Sequence, residues 1–293
     1  MIPYNPHRWT SHLFDLRGSM LHEILGRVAL CVIWSTVVTI FHHVMPANFG
    51  MFEYPATGHT LLGVVVGLLL VFRTNSSYDR FWEGRKLWGS IINESRNLAR
   101  LTESLLKDAP EIQRKLGLWT MAFPWATLHR LRGERSLGQI ASRFESQDVH
   151  AAMSAGHTPM FVASRMTDLV LEARQAGHID SIQQSLLDQN ITLLVDYLGG
   201  CERIRNTPAP YAYTVHLRRV LIVYCFTLPL ALVKDFGWQT IIATLVIAYT
   251  MFGIEEIGVE IEDPFGIDPN DLPLEDFCAL IEQNVAEIIP SVK

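Results

Sequence analysis

The sequence predicts an all-α membrane protein in which four apolar helices cross a bilayer and a helical cytosolic domain is inserted between the second and the third. Three observations carry this. Hydrophobic residues make up 49% of the chain and charged ones 18%, and the mean hydropathy is +0.18, on the membrane side of the globular range. Four apolar runs stand out against a more polar background. Elsewhere apolar residues recur at threes and fours, and strand signals are nearly absent.

The first run spans Val28 to about Met45, and the second is the block Leu61 to Phe72, which reaches spanning length by extending back to Ala56. The third is Val220 to Val233 and the fourth about Trp238 to Phe252. Pro229 removes one hydrogen bond from the third and should kink it, a cost tolerated inside a bundle. The short link Lys234 to Gly237 makes the last two a tight hairpin. The second run is the most informative, because it passes without a break into a charged amphipathic stretch, RTNSSYDRFWEGRKLWG. One helix satisfies its own backbone groups in hydrocarbon and in water alike, so a single rod can run from bilayer to cytoplasm and suits a pore wall. Gly63 and Gly67 have the small-xxx-small spacing that lets helices approach closely in lipid. Arg73, Arg80, Arg85 and Lys86 read as a basic flank held on the cytoplasmic side.

That second helix continues through Leu87, Ile91, Ile92, Leu98, Leu101 and Leu105, and Asp108 and Pro110 mark its end. Further helices are expected over Glu111 to about Arg130, about Leu137 to Ser154, Pro159 to about Gln175, and Ile179 to about Leu198, where Gly199-Gly200 stops the last. The resulting organisation is 1–72 for the N-terminal segment and first two spans, 73–219 for the cytosolic helical domain, 220–252 for the last two spans and 253–293 for an acidic C-terminal cytosolic segment. Arg8, Arg17 and Arg27 precede the first span, whereas Ala47 to His59 contains neither Lys nor Arg. Both termini are therefore expected in the cytoplasm of a cell with the chain in its inner (plasma) membrane. No removable signal peptide is expected; the first span stays.

Several functions are excluded or left without support. A net charge of −6 and no Lys/Arg-rich run argue against nucleic acid. Cys31, Cys201, Cys225 and Cys278 lie far apart and read as buried thiols. His42-His43 point about 100° apart on a helix and read as interface side chains, not a ligand pair. His22-Glu23 lacks the second histidine of a zinc helix. Neither a phosphate loop nor a nucleophile elbow is present, so the chain does not read as an enzyme. The acidic run Glu255, Glu256, Glu260, Glu262, Asp263, Asp268 and Asp271 is either a hard-cation site, with Pro264, Gly266 and Pro269 supplying the turn, or a solvated cluster ending a helix.

Four islands, FRTNSSYDRFWEGRKLWG, LGGCERI, TPAPYAY and EDPFGIDPNDLPL, together with the four-span order, resemble the bestrophin family in its shorter prokaryotic form. The resemblance implies a homopentameric ion channel with the second-span helices lining a narrow neck and cytosolic helices enclosing a vestibule. The family's stacked neck positions fall on Val64, Leu68 and Phe72, and its cytosolic aperture on Ile182. By periodicity alone the same neck residues read as a lipid-facing or packing stripe, and Ile182 as a core residue. The calcium clasp of animal members matches Asp268 and Asp271, but Ile267, Pro269 and Asn270 replace acidic positions of that run, and Asp263 replaces an asparagine. The resemblance thus implies passive flow of small monovalent ions, chloride-type anions or Na/K-type cations, across a lipid bilayer, with no cofactor required and calcium the one ion to test. The alternatives are a non-conducting membrane scaffold or regulator, or a secondary transporter.

Overall fold

The computed structural model describes residues 18–45 and 55–292. Arg8, Arg17 and most of the loop between the first two spans lie outside the described residues. Nine α-helices occur among the described residues: α1 (Leu21–Val44), α2 (Ala56–Leu105), α3 (Pro110–Leu131), α4 (Ser146–Ser154), α5 (Thr158–Gln175), α6 (Ser181–Asn206), α7 (Tyr211–Phe236), α8 (Gln239–Glu260) and α9 (Leu274–Ile288). Four of them, α1, α2, α7 and α8, are long and apolar enough to cross a bilayer. With 50 residues, α2 is about 75 Å long at 1.5 Å per residue.

The chain forms two compact units, one comprising 1–81, 208–263 and 268–270, the other 82–207, 264–267 and 271–293. In the first, α1, α7, α8 and the leading part of α2 bury Ile24, Val28, Val66, Leu70, Leu221 and Phe252 in one apolar core. Apolar burial gives helices no grip in lipid, so polar and aromatic contacts add specificity. The Ser35 and Thr244 hydroxyls lie 3.1 Å apart between α1 and α8, and the Trp34 indole stacks on Phe226 at 4.3 Å. Pro229 sits buried inside α7, and Gly237 turns the chain into α8 at φ +51°, in the left-handed region glycine tolerates. Outward faces of these helices expose Leu30, Ile33, Val37, Ile242 and Val246, as a lipid-facing surface requires.

The second unit is organised around α3, buried on nearly every side from Leu116 to Leu128. Two expectations are corrected here. Leu137 to Ser154 is not one helix but a 3-10 turn, Gly138–Arg143, followed by α4. Gly138 adopts φ +66°, and Phe144 is extended between the two segments. In turn, α6 runs through Gly199-Gly200 to Asn206. Gly200 is a close-approach residue, since a Cβ there would lie 2.8 Å from Leu87 Cδ2. The C-terminal helix α9 has no counterpart among the expected helices, although Leu274, Cys278, Ile281 and Val285, all buried, repeat at fours and threes.

Candidate functional site

The neck residues sit on α2, whose leading part has two unlike sides. One side carries Val66, Leu70, Arg73 and Ser77, all buried. The opposite side carries Val64, Leu68 and Phe72, exposed by 67%, 54% and 57% respectively, with Leu61 and Val71 flanking them and also exposed. At about 100° per residue the spacing of four keeps the three on one face. Among the described residues, that apolar stripe stays mostly exposed.

The buried side is pinned at successive levels. His59 Nε2 lies 3.1 Å from the Tyr224 carbonyl oxygen and 3.2 Å from the Thr227 hydroxyl, with its ring 4.3 Å from that of Tyr224. One turn on, Gly63 meets Tyr224 so closely that a Cβ would come within 2.8 Å of the phenol oxygen. Gly63 thus packs on its own chain, whereas a Cβ at Gly67 would meet open space. The Tyr213 hydroxyl donates to the Leu69 carbonyl at 2.9 Å.

Directly after Phe72, Arg73 turns into the protein. It is 2% exposed and paired with Glu262, whose other carboxylate oxygen accepts the Ala209 N–H at 2.7 Å. Arg80, two turns further along α2, donates through Nε to the Glu262 backbone carbonyl at 3.2 Å. Burial alone would push the Glu262 carboxyl up. The Arg73 hydrogen bond, the Ala209 N–H and the positive charges of Arg73 and Arg80 outweigh it and hold the group below the ordinary carboxylate value. Glu262 therefore ties the segment after α8 and the start of α7 to the helix that carries the neck positions. Sequence reasoning missed this hub: Arg73 and Arg80 read only as a basic flank held on the cytoplasmic side, and both are hydrogen-bonded to Glu262. A lone arginine at the end of an apolar run gives no sign of the direction in which it turns.

The rest of the acidic run is solvated only in part, with Asp263 and Asp268 exposed. Glu255 is buried between Arg27, at 3.2 Å, and Arg218, at 2.9 Å, while Glu256 pairs with Arg27 and Glu260 accepts from Asn270 Nδ2 at 3.0 Å. Asp268 is exposed and Asp271 buried, the latter packed so that a Cβ on Gly266 would lie 2.5 Å from its Oδ2. Among the described residues no group of three or more His, Cys, Asp or Glu side chains is arranged to hold a metal ion.

Ile182 lies in the first turn of α6 and is exposed by 71%. A capping box fixes its place: the Asp180 carboxylate accepts the N–H groups of Ile182 and Gln183 at 2.8 Å each, and the Gln183 side chain accepts the Asp180 N–H at 2.9 Å. The D-S-I-Q spacing is the sequence signal that starts this helix at Ser181. The thiols offer no chemistry: all four cysteines are buried and unpaired, and burial pushes Cys201 up to about 12.

Four membrane-length helices around a buried apolar core, with polar anchors confined to one side of α2, define an integral membrane protein. The chain belongs to the bacterial/fungal bestrophin family: residues 1–287 match the sequence model described as "Bacterial/Fungal Bestrophin protein". A "voltage-dependent anion channel-forming protein" of Nostoc sp. is 40% identical over 286 residues, covering 96% of this chain and 91% of that one. A Synechocystis protein of the same description is 36% identical, covering 97% and 93%. The crystal structure of a bacterial bestrophin homologue from Klebsiella pneumoniae superposes with a TM-score of 0.86 at 30% identity, covering 91% of this chain and 98% of that one. The family and these relatives make the chain an ion channel of the membrane, not an enzyme.

Proposed function

We propose that the chain assembles as a homopentamer in the inner membrane and that five α2 helices surround a pathway for small monovalent ions. The observation that carries this reading is the exposed stripe Val64, Leu68 and Phe72 on a helix whose other side is pinned throughout. In a fivefold array these residues form three hydrophobic rings, a constriction that conducts when wetted and closes by dewetting. Ile182, exposed and held by its cap, supplies a second ring in a cytosolic vestibule formed by 73–219 together with 253–293, and both termini lie in the cytoplasm. Conduction needs no bound cofactor, and current unchanged by calcium chelation is the expected result.

The names of the relatives favour anions. An apolar neck has no charge with which to choose, so anions and Na/K-type cations are both carried forward as permeant ions. The test is current from purified protein in a planar bilayer under a salt gradient, alongside the mass of the detergent-solubilised assembly. Unitary currents from a five-chain particle support the reading. A silent bilayer overturns it in favour of a scaffold, and a particle of another stoichiometry overturns the fivefold neck.

A further inference from the structure

As a pathway wall, α2 also presents charge to passing ions. Between Phe72 and Phe81 the helix carries three charged side chains, Arg73, Asp79 and Arg80, and the fold sorts them by sign. Arg73 and Arg80 are seven residues apart, hence on nearly the same face, and both are hydrogen-bonded to Glu262, Arg73 through the carboxylate and Arg80 through the backbone carbonyl. Asp79 follows Phe72 by seven residues and Asn75 follows Leu68 by seven, which sets both on the stripe of Val64, Leu68 and Phe72. Asn75 and Asp79 are exposed, and Asp79 makes no ion pair among the described residues. The stripe therefore changes from apolar to polar and anionic just beyond Phe72.

We propose that Asp79 is a specificity-determining residue, five copies of which form an anionic ring past the neck that concentrates cations and repels anions. The inference rests on the proposed pathway and deepens it. Seven residues place the ring about 10 Å along the axis from Phe72, which is about one Debye length at 0.1 M salt. Ions waiting at the apolar constriction thus sit inside the ring's field. Rings of acidic side chains at a pore mouth favour cations in this way, and Arg73 and Arg80, the basic residues between Phe72 and Phe81, are held by Glu262. Whichever ion dominates in the native channel, Asp79 biases the ratio toward cations.

The test is the reversal potential of the purified full-length channel under asymmetric potassium chloride, compared across wild type, Asp79→Asn, Asp79→Ser and Asp79→Lys, with Leu68→Ala as a control for the pathway itself. Neutral variants are expected to lower the cation-to-anion permeability ratio by roughly threefold or more, the lysine variant further still, with the differences shrinking as salt is raised. Unchanged reversal potentials in all three Asp79 variants, while Leu68→Ala alters conductance, overturn the inference and leave the pathway standing. No current from wild type, or no effect of Leu68→Ala either, overturns the pathway and the inference with it.

Discussion

Replacing Glu262 by glutamine isolates the charge at the hub beneath the neck positions. The amide keeps the shape of the side chain and an oxygen for the Ala209 N–H, so what is lost is the negative charge facing Arg73. That guanidinium is 2% exposed and Glu262 is 17% exposed, and among the described residues Arg73 Nε has no hydrogen-bond partner. Removing one member of such a buried pair leaves an uncompensated charge, worth about 3–5 kcal/mol. At a few degrees per kcal/mol for a chain of this size, the midpoint of thermal unfolding in detergent should fall by roughly 10 °C. Adding Arg73→Met removes the stranded charge and should recover more than half of the loss, because a buried pair as a whole contributes little against apolar packing of similar volume. A Glu262→Gln protein that melts with the wild type, or a double variant no better than the single one, would refute the reasoning.

Leu68→Ala and Phe72→Ala each remove side-chain volume from the proposed rings, so unitary conductance should rise in both and most in the double variant; conductance equal to wild type in all three argues against their pore position. Gly63→Ala drives a methyl group to 2.8 Å from the Tyr224 hydroxyl and should cost about 1–3 kcal/mol. Gly67→Ala, with nothing within 4 Å, should leave the fold of the chain intact, and comparing the two melting curves decides it. The pH dependence follows from Glu262, held below its ordinary value by Arg73 against the opposing effect of burial, and from Glu275, held low by Arg132. For a carboxyl whose folded pKa is depressed, the stabilisation is full above the unfolded value, near 4.3, and is lost as pH falls through the lowered folded value. Melting temperature should therefore hold from pH 7 to about 5 and fall below about 4, with a shallower fall in Glu275→Gln.

Much of the architecture is legible in the sequence because bilayer-length apolar runs and 3.6-residue periodicity are strong local signals. The start of α3 at Pro110 and the join of apolar block to amphipathic helix at Phe72 are both of this kind. Span ends are less legible: α7 begins at Tyr211 and α8 ends at Glu260, beyond their apolar runs, because helices do not stop where hydrocarbon does. Gly200 illustrates the other limit. A glycine pair reads as a stop, yet the residue is chosen for the approach of Leu87, a contact so distant along the chain that no window of sequence contains it. The same holds for the site. Its apolar stripe is written into α2, but the inward turn of Arg73 and Arg80 depends on Glu262, and only with both placed does Asp79 emerge as the exposed charge nearest Phe72.

The central claim is that the Val64, Leu68 and Phe72 face of α2 lines an aqueous pathway and not lipid. The most direct measurement is single-channel current from purified Leu68→Cys protein exposed to a charged, membrane-impermeant thiol reagent, with wild type as control, since its four native cysteines are buried. A stepwise fall in the Leu68→Cys current, with a matching mass adduct and no change in wild type, is the expected result. Sustained current from the Leu68→Cys channel, with the introduced thiol left unmodified, would place that face in lipid and contradict the claim.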